Sequence, residues 1–173
     1  MTENKKFGPI SEEEYQLIKK LTPLPHVDLV FLRKNYGGNW ETLIFNRKTD
    51  SWAGKSCLIG GRQRKGERIL RTIARQADEV GFRVRVLAPF RSDFPSYVDS
   101  GKDQDPEKQA TTLVYPVVIA GGAKDEVPNI KSNEVDSPKW VSVDNLPGNI
   151  IPHHARKISE TINRIEKLTA GSK

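Results

Sequence analysis

The chain has one cysteine, Cys57, in 173 residues. A single thiol forms no internal disulfide and supplies no zinc cluster, which points to a reducing, cytoplasmic setting. No apolar run approaches the ~20 residues of a membrane span, and the opening MTENKKFG has no signal-peptide core. A membrane partner is therefore not expected. Internal repeats and low-complexity tracts are also missing, as is any RNA- or DNA-binding signature. The formal net charge is nevertheless +6, with Arg62, Arg64, Lys65, Arg68 and Arg71 close together. A basic cluster without a nucleic-acid motif points to a small polyphosphate as partner and away from nucleic acid. With 36% hydrophobic and 29% charged residues, the length suits one domain with a real core. The expectation is a flexible terminus over 1–10 and a single domain over 11–169.

The most informative stretch runs from Gly60 to Phe82, GGRQRKGERILRTIARQADEVGF. A double glycine ends an apolar run, a basic loop follows, and a helical pattern starts at Glu67. Ile69, Leu70, Ile73, Ala77 and Val80 share one face at helical spacing. Glu67, Arg71, Arg75 and Glu79 recur every fourth residue and form a charged ridge, with Asp78 beside its end. Gly81 is placed to close the helix in the left-handed conformation. An acidic helix end facing a glycine turn suits a hard divalent cation on a diphosphate, with arginines taking the remaining phosphate charge. A solvated amphipathic helix with two ion pairs has the same spacing.

Around this stretch the chain reads as alternating elements. Ser11 to Glu14 form a capping box that opens a short helix offering Tyr15, Leu17, Ile18 and Leu21 for burial, and Pro23 and Pro25 stop it. His26 to Arg33 read as a strand, turned at Gly37-Gly38 into a second over Glu41 to Lys48. Asp28 is discordant in so apolar a strand, and the cost of burying a carboxylate places it at an edge or facing outward. Arg83 to Phe90 and Thr112 to Ile119 read as further strands. Residues 91–111 form a long polar connection in which Phe94 and Tyr97 can stack on a base or sugar. Residues 123–137 form a second polar loop, ending in a short strand at Pro138 to Val141. The His153-His154 pair opens a last helix after Pro152 and reads as a surface feature. Ile158, Ile162 and Ile165 give that helix an apolar stripe.

The Gly60–Phe82 stretch resembles a degenerate Nudix box, with Gly61, Glu67, Arg75, Asp78, Glu79 and Gly81 in its glycine, glutamate, arginine, acidic-pair and closing-glycine roles. Gln76 stands where a glutamate would follow the arginine, and the chain is one residue short between Arg75 and Gly81. Gly60-Gly61-Arg62 and the thinned acidic set are similar to the GDP-mannose mannosyl hydrolase branch. The resemblance covers about residues 22–150 and implies an α/β (α+β) Nudix fold. In that fold a mixed β-sheet is sandwiched between helices, here with added N- and C-terminal helices.

It further implies Mg2+, with Mn2+ as an alternative, on the Gly60 carbonyl, Glu79 and Glu134, with Asp78 at the same helix end. Arg47, Arg62 and Arg75 would meet the diphosphate, Asp28 would lie by the sugar, and Glu67 would brace the loop–helix corner. The implied reaction is hydrolysis of a nucleoside diphosphate sugar such as GDP-mannose or GDP-glucose, with water attacking the anomeric carbon. Val135 replaces the histidine that follows the metal ligand in that branch. This departure favours the commoner cleavage at phosphorus, as of ADP-ribose or another nucleotide sugar. A nucleotide-sensing module without turnover is a third reading, and a homodimer is the assembly the resemblance implies.

Overall fold

The computed structural model describes residues 10–87, 95, 97–99, 109–120 and 130–170. Phe94 and most of the two polar loops lie outside the described residues. Among the described residues three α-helices, α1 (Glu12–Leu21), α2 (Ile69–Glu79) and α3 (Pro152–Ala170), accompany eight strands. The strands are β1 (Leu24–Lys34), β2 (Trp40–Arg47), β3 (Ser56–Cys57), β4 (Ile59–Arg62), β5 (Val84–Val86), β6 (Tyr97–Asp99), β7 (Ala110–Ile119) and β8 (Val135–Ser142). The sheet is mixed: β1 runs parallel to β7 over eight residues, and the other pairings between these described strands are antiparallel. This is the expected α/β architecture of a sheet between helices.

Strand β1 organises the molecule, and its period-2 alternation sorts side chains between two layers. Val27, Leu29 and Phe31 enter one core with Ile73, Ala77 and Val80, so α2 covers that face. Val30 and Leu32 enter the other with Ile158, Ile162 and Ile165 of α3. Burial on both faces explains why β1 reads as a continuous apolar run. One edge of β1 carries two partners in succession. Leu32 to Lys34 pair with β2, whereas His26 to Leu29 pair with β4. Residues 56–62 fill the fork between β1 and β2, pairing first with β2 through Cys57 and then with β1 through Ile59 to Arg62.

Several boundaries differ from the sequence reading. β1 begins at Leu24 and runs through Pro25, whose carbonyl still accepts from Gln63 N–H at 2.9 Å. α2 starts two residues after Glu67, and Leu70 is 56% exposed, off the face that packs on the sheet. β6 lies within the stretch read as a polar connection, and β8 is longer than the four residues read there. The Ser11–Glu14 capping box forms as expected, yet α1 buries no residue; Leu17 and Leu21 stay exposed. Gly81 adopts φ 82°, the left-handed turn that ends α2.

Candidate active site

The site is built at the fork, where the double glycine has a separate reason at each position. Gly60 lies opposite Asp28 on the α3 face, and a Cβ there would fall inside the Asp28 carboxylate. Gly61 faces α2, and a Cβ there would strike the Gln76 amide. Omitting both side chains lets a carboxylate and an amide approach β4 from opposite faces.

Asp28 does not sit at an edge or point outward. Its parity on β1 matches that of Val30 and Leu32, which directs it toward α3, and it is 6% exposed. Lys157 of α3 answers it, donating from Nζ to Oδ2 at 2.8 Å, and is itself buried. Burial pushes the Asp28 pKa up, but the nearby Lys157 ammonium, with its hydrogen bond, outweighs it and brings the value down to about 2. The carboxylate is therefore ionised at neutral pH.

His154 is also not a surface feature, since it lines a cavity together with Asp28 and Lys157. Its Nδ1 accepts from Leu58 N–H at 3.0 Å, which leaves the ring proton on Nε2. Burial lowers its pKa well below the usual histidine value, so it is a neutral donor and not a proton acceptor. Lys157 carried no signal in the sequence reading. Only its place on the apolar stripe, one residue before Ile158, could have marked it.

Arg75 is the hub of the loop–helix corner. Its Nε and Nη2 donate to Glu67 at 2.9 and 3.0 Å, Nη2 also to the Arg62 carbonyl at 3.0 Å, and Nη1 to Glu79 at 3.1 Å. With the Gln76 amide oriented to satisfy its neighbours, it accepts from Arg75 Nη1 at 2.9 Å and donates to the Gly60 carbonyl at 3.1 Å. All five guanidinium N–H groups are thereby engaged. Arg75 holds the loop in place and has no donor left for a phosphate. Glu67 further accepts from Thr72 Oγ1 and Arg64 N–H, and the hydrogen bonds from Arg75 are the main reason its pKa falls to about 2.

A cavity of about 610 Å³ brings together Asp28, Arg47, Gly60, Arg62, Glu79 and Glu134, with Arg75 at its wall. At the end of β2, Arg47 pairs with Asp50 and, at 2.9 Å, with Glu134. Burial lowers the Arg47 pKa, but Asp50 and Glu134 overcome that effect and raise it. Arg62 lies over the Tyr15 ring, 4.9 Å from its centroid, and so ties α1 to the cavity. Among the described residues neither Arg62 nor Arg64 is paired with a carboxylate. Asp78 is not part of the cavity wall, and its exposed side chain pairs with Lys131 at 2.8 Å. Tyr97 begins β6, opposite Val114.

Each group expected on a divalent cation already has one oxygen met by a donor from the chain. Gln76 donates to the Gly60 carbonyl, Arg75 to Glu79, Arg47 to Glu134 and Lys131 to Asp78. Among the described residues no three acidic, histidine or cysteine side chains gather into a set that could hold a metal ion. As arranged, these donors do not fit the cation that the Nudix resemblance implies.

Among solved structures, the NUDIX domain of Shewanella oneidensis NrtR complexed with ADP ribose superposes with a TM-score of 0.62 at 18% identity, covering 90% of this chain and 99% of that one. A UDP-X diphosphatase gives 0.59 at 18% identity, covering 92% and 73%. A possible asymmetric diadenosine tetraphosphate hydrolase from Jonesia denitrificans gives 0.60 at 20% identity, covering 83% and 95%. These similarities are of fold. No curated protein matches the sequence. No described helix is long and apolar enough to cross a membrane. The NUDIX domain family model matches residues 22–161, which takes in the β1 fork, the double glycine, α2 and the start of α3; the chain belongs to the NUDIX domain family, that of the Nudix hydrolases.

Proposed function

We propose that the chain hydrolyses a nucleoside diphosphate joined to a sugar: water attacks the anomeric carbon, the bond from that carbon to the diphosphate oxygen breaks, the nucleoside diphosphate leaves with the electron pair, and the water's proton passes to the leaving phosphate or to solvent. The observation that carries this reading is one cavity lined both by a buried, ionised carboxylate, Asp28, and by Arg47, Arg62, Arg64 and Arg75. Substitution at an anomeric carbon develops positive charge on the sugar and negative charge on the departing diphosphate. Asp28, near a pKa of about 2, is a poor proton acceptor; Lys157 holds its Oδ2, and Oδ1 is the oxygen left to meet the first charge. Arg62 and Arg64 are available to the second. The cavity volume of about 610 Å³ lies within the range of roughly 300–1,000 Å³ common for small-molecule sites. The three structural neighbours, an ADP ribose complex, a UDP-X diphosphatase and a possible diadenosine tetraphosphate hydrolase, support a nucleotide-derived compound. Gly60-Gly61-Arg62 and Asp28 put GDP-sugars first for testing.

Cleavage at phosphorus is the second reading, and Glu134 favours it. This carboxylate is 62% exposed at the cavity rim and can take a proton from an attacking water. A nucleotide-sugar panel in oxygen-18 water, with products read by mass spectrometry, separates the two. Free nucleoside diphosphate with label in the sugar supports attack at carbon. A mononucleotide with label on a phosphate supports attack at phosphorus and removes the role given to Asp28. Binding without any product refutes both in favour of a sensing module.

A further inference from the structure

We propose that this site holds its diphosphate ligand without a divalent cation, because Arg75 and Gln76 form the bridge that a metal would otherwise make. A continuous chain of hydrogen bonds runs from the Gly60 carbonyl through the Gln76 amide to Arg75 Nη1 and on to the Glu79 carboxylate. Its two ends are the backbone oxygen and the helix carboxylate that a cation would need to join. A fixed positive charge stands 3.1 Å from Glu79 Oε1, where the ion would have to compete with it. A Mg2+ ion demands six oxygen ligands in near-octahedral order and sheds water reluctantly. Here the Gln76 oxygen already accepts from Arg75, and its nitrogen covers Gly60.

Arg75 cannot swing aside to make room without wider loss. Its departure would strip Glu67, whose side chain is 13% exposed, of both its guanidinium hydrogen bonds, and would also release the Arg62 carbonyl. Those contacts fix the loop that presents Arg62 and Arg64. The charge of a diphosphate is met instead by these two arginines, which pair with no carboxylate among the described residues. Magnesium bound to the nucleotide would then compete with the arginines for the same phosphate oxygens.

The inference takes its ligand class from the proposed function, but its metal claim stands on the geometry alone. It is tested by titrating Mn2+ into the nucleotide-free protein, following the free-ion electron paramagnetic resonance signal. GDP and ADP-ribose are then titrated calorimetrically in EDTA and in millimolar Mg2+. Expected are no stoichiometric Mn2+ uptake and nucleotide affinities that are equal within about twofold, or weaker, when Mg2+ is present. Uptake of one Mn2+ per chain, abolished in Glu79→Gln, would overturn the inference. A rise of about tenfold or more in nucleotide affinity with Mg2+ would do the same. If neither nucleotide binds in either buffer, the nucleotide reading fails, and the Mn2+ titration still decides the metal question.

Discussion

Replacing Lys157 by methionine tests the electrostatic floor of the cavity. The substitution keeps an unbranched apolar stem and removes the charge that donates to Asp28 at 2.8 Å. The fall of the Asp28 pKa from 3.8 to about 2 corresponds to about 2.5 kcal/mol at neutral pH. That figure is a net value, in which the burial penalty has already been subtracted from the attraction. Losing the attraction alone therefore costs more, and about 3–5 kcal/mol is the scale for stranding one member of a buried pair. Against a total stability of about 5–15 kcal/mol, the loss is large.

Urea unfolding at pH 7 of the wild type, Lys157→Met, Asp28→Asn and the double variant measures it. The double variant should lose at least about 2 kcal/mol less than the sum of the single variants. The pH dependence should also change sign. In the wild type the depressed Asp28 pKa contributes stability that is present above pH 3.8 and lost as pH falls through about 2. In Lys157→Met, burial acts against a weakened set of positive charges, the pKa rises, and acidification through it restores stability by neutralising Asp28. A loss below about 1 kcal/mol, unchanged between pH 7 and pH 4, would show that Lys157 is not the counter-ion of Asp28.

Other outcomes follow from the same geometry. Gly60→Ala places a methyl group inside the Asp28 carboxylate, and a loss of about 3 kcal/mol or more is expected in chemical denaturation. Glu67→Gln weakens the clamp on Arg75; the melting temperature and nucleotide affinity should fall together, while a change in affinity alone would argue against a bracing role. The Glu67 pKa is also depressed, from 4.5 to about 2, so its contribution is present above pH 4.5 and disappears as pH falls toward 2, steepening acid unfolding. That steepening should be absent in Glu67→Gln. Arg62→Ala and Arg64→Ala should each weaken GDP binding by about five- to twentyfold at low salt, with smaller effects as ionic strength rises. Calorimetry over a salt series checks this.

The sequence by itself determined the elements whose signals are local. The capping box at Ser11, the glycine that closes α2, the amphipathic face of α2 and the apolar run of β1 depend on neighbours a few residues away, so spacing reveals them. The grouping of Asp28, Arg47, Gly60, Arg62, Glu79 and Glu134 was legible through motif order, and one cavity does hold them. Charge pairing was not legible, because it joins residues far apart in the chain. Asp28 and Lys157 are 129 positions apart and meet because β1 alternation and α3 packing turn them to the same layer. His154 looked like a surface residue until Leu58 and the cavity wall surrounded it. Arg75 read as a phosphate ligand because spacing reports which helix face a residue occupies and not how many of its donors are already used. Tertiary structure decided that count, and with it the internal bridge between Gly60 and Glu79.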